Sequence, residues 1–104
     1  AQEPAIVTRA DRLQEIPQDK SGPLLNRLTE DAGARVAFLE ALGQSEAALN
    51  LTDGLRISLA GGGTLHLRPS GNAPELRVYV EGNDARAAES LLQTALAYLA
   101  ERLA

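Results

Sequence analysis

The sequence predicts a two-layer α+β domain, a four-stranded antiparallel meander with helices on one face. Three observations predict it. Residues 49–81 alternate apolar and polar side chains with a period of two, in short runs broken by glycine and proline. The stretches before and after them carry apolar residues at helical spacing. Each strand run has a single apolar face, so both helical regions must cover that same face of the sheet.

In chain order, Ile6 and Val7 are an apolar pair in a polar lead-in. Residues 1–10 therefore read as an incoming linker and residues 11–104 as the domain. Arg12 to Ile16 forms a short edge strand, ended by Pro17. Ser21-Gly22-Pro23 reads as a helix start, with Ser as N-cap and Pro tolerated in the first turn. Leu24, Leu25 and Leu28 then face the core. Asp31 reads as a second N-cap, followed by Val36, Phe38, Leu39 and Leu42 at helical spacing and Gly43 at the stop. Gly33 weakens a helix interior, leaving residues 21–42 as one helix or two.

The strand runs follow. Leu49 and Leu51 precede an Asp53-Gly54 turn; Leu55, Ile57 and Leu59 precede Gly61-Gly62-Gly63. Leu65 and Leu67 make the third run, and Leu76, Val78 and Val80 the fourth. The polar face between them carries Arg56, Ser58, His66, Arg68, Arg77 and Tyr79, either solvated or looking onto another domain. Asn83-Asp84 offers an N-cap for a last helix, whose apolar stripe is Ala88, Leu91, Leu92, Ala95, Leu99 and Leu103.

Composition excludes several functions. The 104 residues suffice for one domain. Aromatics are 3%, so Leu, Val, Ile and Ala must build the core. No apolar run reaches the roughly 20 residues of a membrane span. Cysteine is absent, which excludes a disulfide framework, a thiolate metal site and a Cys nucleophile. With His66 as the sole histidine, neither a multi-His metal centre nor a serine–histidine relay fits, and no metal or catalytic residue is assigned in this chain. A net charge of −4 argues against nucleic-acid binding. There is no Met, even at position 1, and the opening residues carry no targeting signal. The expectation is a domain of a longer cytoplasmic polypeptide.

Among possible sites, Gly61-Gly62-Gly63 lacks a following Lys and Ser/Thr and leads into a strand, so it reads as a hairpin rather than a phosphate loop. His66 reads as a surface or hydrogen-bonded residue. Glu75 and Glu81 lie too far apart on one strand to act as an acid–base pair. Arg77, on the polar face within a strand, is expected to form a structural ion pair.

The segment Arg68-Pro69-Ser70-Gly71-Asn72-Ala73-Pro74 is more constrained. Gly71 admits backbone angles closed to other residues, and two prolines stiffen the flanks. Ser70, Gly71 and Asn72 offer consecutive N–H groups that can form an anion nest. Arg68 adds a bidentate donor suited to phosphate. The competing reading is a stiff hairpin with an incidental Arg.

Three segments together resemble the α-D-phosphohexomutases, the phosphomannomutase/phosphoglucomutase family. They are Thr52-Asp53-Gly54-Leu55-Arg56-Ile57, Leu65-His66-Leu67-Arg68-Pro69-Ser70-Gly71 and Pro74-Glu75-Leu76-Arg77-Val78-Tyr79-Val80-Glu81. The resemblance is to the family's C-terminal domain, the last of four, and it implies a TATA-box-binding-protein-like fold. It also implies that Arg68, Ser70, Gly71 and Asn72 grip the phosphate that is not being transferred when a hexose 1-phosphate and a hexose 6-phosphate are interconverted. Asn72 stands where the family usually has Thr, and Ala73 where it usually has Glu. The implied phosphoserine, magnesium and sugar-reading loops belong to the other three domains, so this chain alone is expected to hold no cofactor and to be inactive. Its expected partners are a mannose or glucose phosphate and those three domains. The rival is a free-standing α+β protein-interaction module.

Overall fold

Leu, Ile and Val at every second position, with Arg, Ser, His and Tyr between them, set which way each strand faces. A computed structural model describes residues 6–70 and 73–103. Its elements are β1 (Val7–Gln14), α1 (Gln18–Glu30), α2 (Ala32–Ala41), β2 (Glu46–Asn50), β3 (Leu55–Leu59), β4 (Thr64–Pro69), β5 (Glu75–Gly82) and α3 (Ala85–Leu103). The sheet is antiparallel throughout, in the order β1-β5-β4-β3-β2. Strands β2 to β5 form the expected meander, except that β2 runs over Glu46–Asn50, so Leu51 falls outside the strand and is exposed. The sheet has five strands rather than four, because β1 adds to the outer edge of β5.

That edge strand differs from the sequence reading. It begins at Val7, not Arg12, so Val7 to Ala10 lie in the sheet rather than in a linker. It pairs with β5 along its whole length, from Val7 opposite Gly82 to Gln14 opposite Glu75. It also ends at Gln14 rather than Ile16, and because backbone pairing to an open edge needs no apolar alternation, its first five residues carry no period of two that would reveal them. Arg9 and Asp11 occupy the helix-side positions of β1, opposite Val80 and Val78, and Arg9 reaches Glu89 of α3 at 3.7 Å.

Helix α1 also starts earlier than expected. Pro17 is its N-cap, in extended geometry (φ −64°, ψ 157°), and the Pro17 carbonyl accepts from the Lys20 and Ser21 amides. Ser21 is therefore not a cap. It faces the core, fully buried, and its hydroxyl has no hydrogen-bond partner among the described residues. The helical region is two helices, divided at Asp31, whose Oδ1 accepts from the Ala34 amide at 3.1 Å. Arg35 of α2 locks them together. Its Nη1 donates to the Leu28 and Thr29 carbonyls at the end of α1, and its Nε to Glu46 of β2. Asp84 caps the start of α3 by accepting from the Arg86 amide at 3.0 Å.

One core lies between sheet and helices. Leu55, Ile57, Leu65, Leu67, Leu76, Val78 and Val80 supply the sheet side. Leu25, Leu28, Phe38 and Leu39 cover one half, and Ala88, Leu92, Ala95, Leu96, Leu99 and Leu103 the other. The Phe38 and Tyr98 rings, 5.0 Å apart, join α2 to α3. Each fully buried large aliphatic side chain contributes about 1.5–3 kcal/mol, so this single cluster decides the layer arrangement. Among the described residues no helix is long and apolar enough to cross a membrane.

Candidate functional site

The alternation that buries the leucines leaves the opposite face of the sheet open. Strand register places Arg56, His66 and Tyr79 side by side across β3, β4 and β5. One step along, Arg12, Arg77 and Arg68 stand abreast across β1, β5 and β4. Like charges directly opposite one another are destabilising, so each arginine needs a counter-charge. Glu75 supplies two of them. Its Oε2 lies 2.9 Å from Arg77 Nε and its Oε1 3.6 Å from Arg12 Nε. Asp53 supplies the third, with Oδ1 3.3 Å from Arg68 Nε. The structural ion pair expected at Arg77 is present, and hydrogen bonding to Glu75, then to Tyr79, raises the Arg77 pKa further above neutrality.

At the other end of the face, Arg56 pairs with Glu81 at 2.9 Å. Glu75 and Glu81 are thus engaged in separate ion pairs. The His66 ring nitrogen Nε2 meets the Asp53 carbonyl at 2.5 Å, and its ring lies 5.6 Å from Tyr79. His66 is a hydrogen-bonded residue of the open face. With Thr8, Thr64, Arg56, Arg68, Tyr79 and Glu81 it lines a shallow polar groove of about 260 Å³.

Asp53 reaches Arg68 because of the glycine that follows it. Gly54 has φ +70°, and a Cβ there would collide with the Leu67 carbonyl oxygen and come within 3.3 Å of the Arg68 Cα. Only glycine lets this turn lie against β4 so closely.

The loop between β4 and β5 stands at the arginine-rich end. The Ser70 amide donates to the Glu75 carbonyl at 3.0 Å, and the Glu75 amide to the Ala73 carbonyl at 2.8 Å. The Ser70 hydroxyl accepts from the Ala73 amide at 3.2 Å. Two further bonds come from outside. Gln18 Nε2, at the start of α1, donates to the Ser70 carbonyl at 2.8 Å, and the Ile16 amide donates to the Pro74 carbonyl at 2.7 Å. Glu15, just before Ile16, holds a left-handed φ of 61°, which swings the chain from β1 toward the loop.

Of the four residues predicted to hold phosphate, the structure places two. Arg68 is half-exposed at the foot of the loop, and Ser70 is buried in its stem. Gly71 and Asn72 lie outside the described residues. Ile16 and Gln18 were not legible as site residues, since Gln18 stands 52 residues from its partner and no local motif marks it. The triple glycine is a tight hairpin, with the Gly62 amide donating to the Leu59 carbonyl. Among the described residues no three His, Asp or Glu side chains gather to hold a metal ion.

Residues 24–97 match the family model described as phosphoglucomutase/phosphomannomutase, C-terminal domain. The chain belongs to this family. It is 44% identical over 93 residues to a phosphomannomutase of Sinorhizobium fredii (strain NBRC 101917 / NGR234), an alignment covering 89% of this chain and 19% of that protein. It is 36% identical over 103 residues to a phosphomannomutase of Salmonella muenchen, covering 96% of this chain and 21% of that protein. This phosphohexomutase domain therefore spans about a fifth of the length of those relatives.

Proposed function

We propose that this domain anchors the non-transferred phosphate of a hexose phosphate within a phosphohexomutase. The observation that carries the reading is a loop tied by hydrogen bonds within its stem and from Ile16 and Gln18, with Arg68 at its foot on the open face. In this reading the Arg68 guanidinium gives two parallel charge-assisted bonds to phosphate oxygens. Ser70, Gly71 and Asn72 supply the neighbouring donors. The reaction is interconversion of hexose 1-phosphate and hexose 6-phosphate, and the relatives' name of phosphomannomutase favours mannose phosphate. The phosphoserine, the magnesium and the sugar-reading groups belong to three further domains of a cytoplasmic enzyme. No step assigned to this domain runs through a metal. Its contribution is positioning, where much of phosphoryl-transfer catalysis lies.

The test is an amide-shift titration of the 104-residue chain with inorganic phosphate and with mannose 1-phosphate. The expected dissociation constant is millimolar, about −4 kcal/mol, because one loop offers few donors. The Ser70, Gly71 and Asn72 amides should move first. Saturable shifts confined to Gly61–Gly63, or clear mutase turnover by this chain alone, would overturn the reading.

A further inference from the structure

Glu75 sets an electrostatic problem for an anion site. Residues 69–74 carry no charged side chain, yet a carboxylate follows them at once. An unpaired negative charge there would repel a phosphate. The structure resolves this by dividing the carboxylate between two guanidinium groups. Its side chain is only 12% exposed, with one oxygen toward Arg77 and the other toward Arg12. The main chain of the same residue closes the loop, accepting from the Ser70 amide and donating to the Ala73 carbonyl. One residue thus joins the end of β4, the start of β5 and the edge strand β1.

We propose that Glu75 is a positioning residue of the phosphate loop, pinned by Arg12 and Arg77 so that Arg68 and the Ser70 stem of the loop are held in place before a phosphate arrives. The proposal rests on the phosphate-anchoring reading above. Its physical basis is preorganisation. A loop ordered in advance loses little conformational freedom when an anion arrives, whereas a loosened one must be ordered at that moment, at a cost in affinity. Position 73, next to the loop's centre, is Ala and can supply no ionic brace, so the acidic residue nearest the loop in sequence is Glu75 itself. The electrostatic penalty is small because two cations neutralise the one carboxylate, and the set keeps a positive excess toward the ligand.

The test uses Glu75→Ala and Glu75→Gln in the 104-residue chain, with two readouts: amide hydrogen exchange, and titration with inorganic phosphate. Glu75→Ala should speed exchange at Ser70 and Ala73 by about ten-fold, leave the Leu65 and Val80 amides unchanged, and weaken phosphate binding by about 3- to 30-fold. Glu75→Gln keeps an acceptor for one guanidinium and should recover part of both effects. If Glu75→Ala fails to fold, Arg12→Ala on the edge strand should show the same pattern at smaller size. Unchanged exchange at Ser70 and Ala73 overturns the proposal. So does tighter phosphate binding by Glu75→Gln, which would make Glu75 merely a nearby negative charge. If the unaltered chain shows no phosphate response at Ser70, Gly71 and Asn72, the anchoring reading fails, while the exchange measurement still decides whether Glu75 braces the loop.

Discussion

Replacing Arg68 with Ala separates ligand recognition from stability. In the free domain its guanidinium pairs with Asp53 at 3.3 Å, and both side chains are about half exposed (46% and 60%). Exposed pairs of this kind contribute about 0–1 kcal/mol. Arg68→Ala should therefore lower the melting temperature by no more than about 8 °C in a domain of this size. The ligand side is larger. A charge-assisted hydrogen bond to a phosphate contributes about 1.5–3 kcal/mol net, or roughly 10- to 150-fold in Kd. Starting from millimolar affinity, Arg68→Ala should move the Kd for inorganic phosphate to about 10 mM or beyond. Arg68→Lys keeps the charge but loses the fork and should fall between. Within a longer mutase the same change should lower kcat/KM by roughly 30- to 1000-fold, about 2–4 kcal/mol. Paired thermal melts and amide-shift titrations measure both sides. A stable Arg68→Ala variant with unaltered phosphate affinity would refute the anchor, as would a variant that cannot fold.

Other predictions concern the scaffold. Arg35→Ala leaves the Leu28 and Thr29 carbonyls and the Glu46 carboxylate without their shared donor, so it should cost about 3–5 kcal/mol by denaturant titration, far more than Arg56→Ala on the open face. Gly54→Ala should destabilise by about 2 kcal/mol or more, because the new methyl meets the Leu67 carbonyl at a positive φ. Gly22→Ala should destabilise although no other element crowds the site, because Gly22 holds helical backbone directly before Pro23, whose Cδ clashes with a preceding Cβ in that conformation. Ser21→Ala should raise stability by up to about 1 kcal/mol, because it removes a buried hydroxyl that finds no partner among the described residues. Equilibrium unfolding of each variant checks these signs.

The meander could be read directly because side-chain alternation is a local property. Leu55, Ile57, Leu65, Leu67, Leu76, Val78 and Val80 all fall on the buried face that their spacing implies. The caps at Asp31 and Asp84 were legible for the same reason, since a capping carboxylate acts on an amide two or three residues away. Ser21 shows the limit of local rules. Its position before Gly22-Pro23 resembles a helix start, but Pro17 already supplies the extended backbone and the carbonyl that begin α1.

By itself the sequence determined the two layers, the polar open face with Arg68 on it, and the segment that connects β4 to β5. These follow from periodicity and from residue chemistry within a few positions of each other. Tertiary structure decided the rest. It set the fifth strand at Val7, the pairing of Asp53 with Arg68, the arginine row tied together by Glu75, and the reach of Ile16 and Gln18 to the loop. Each of these joins groups on different elements, and a backbone carbonyl or a strand edge accepts almost any partner that the packing brings to it. No spacing in the chain can name that partner, because the distance that matters is measured across the fold.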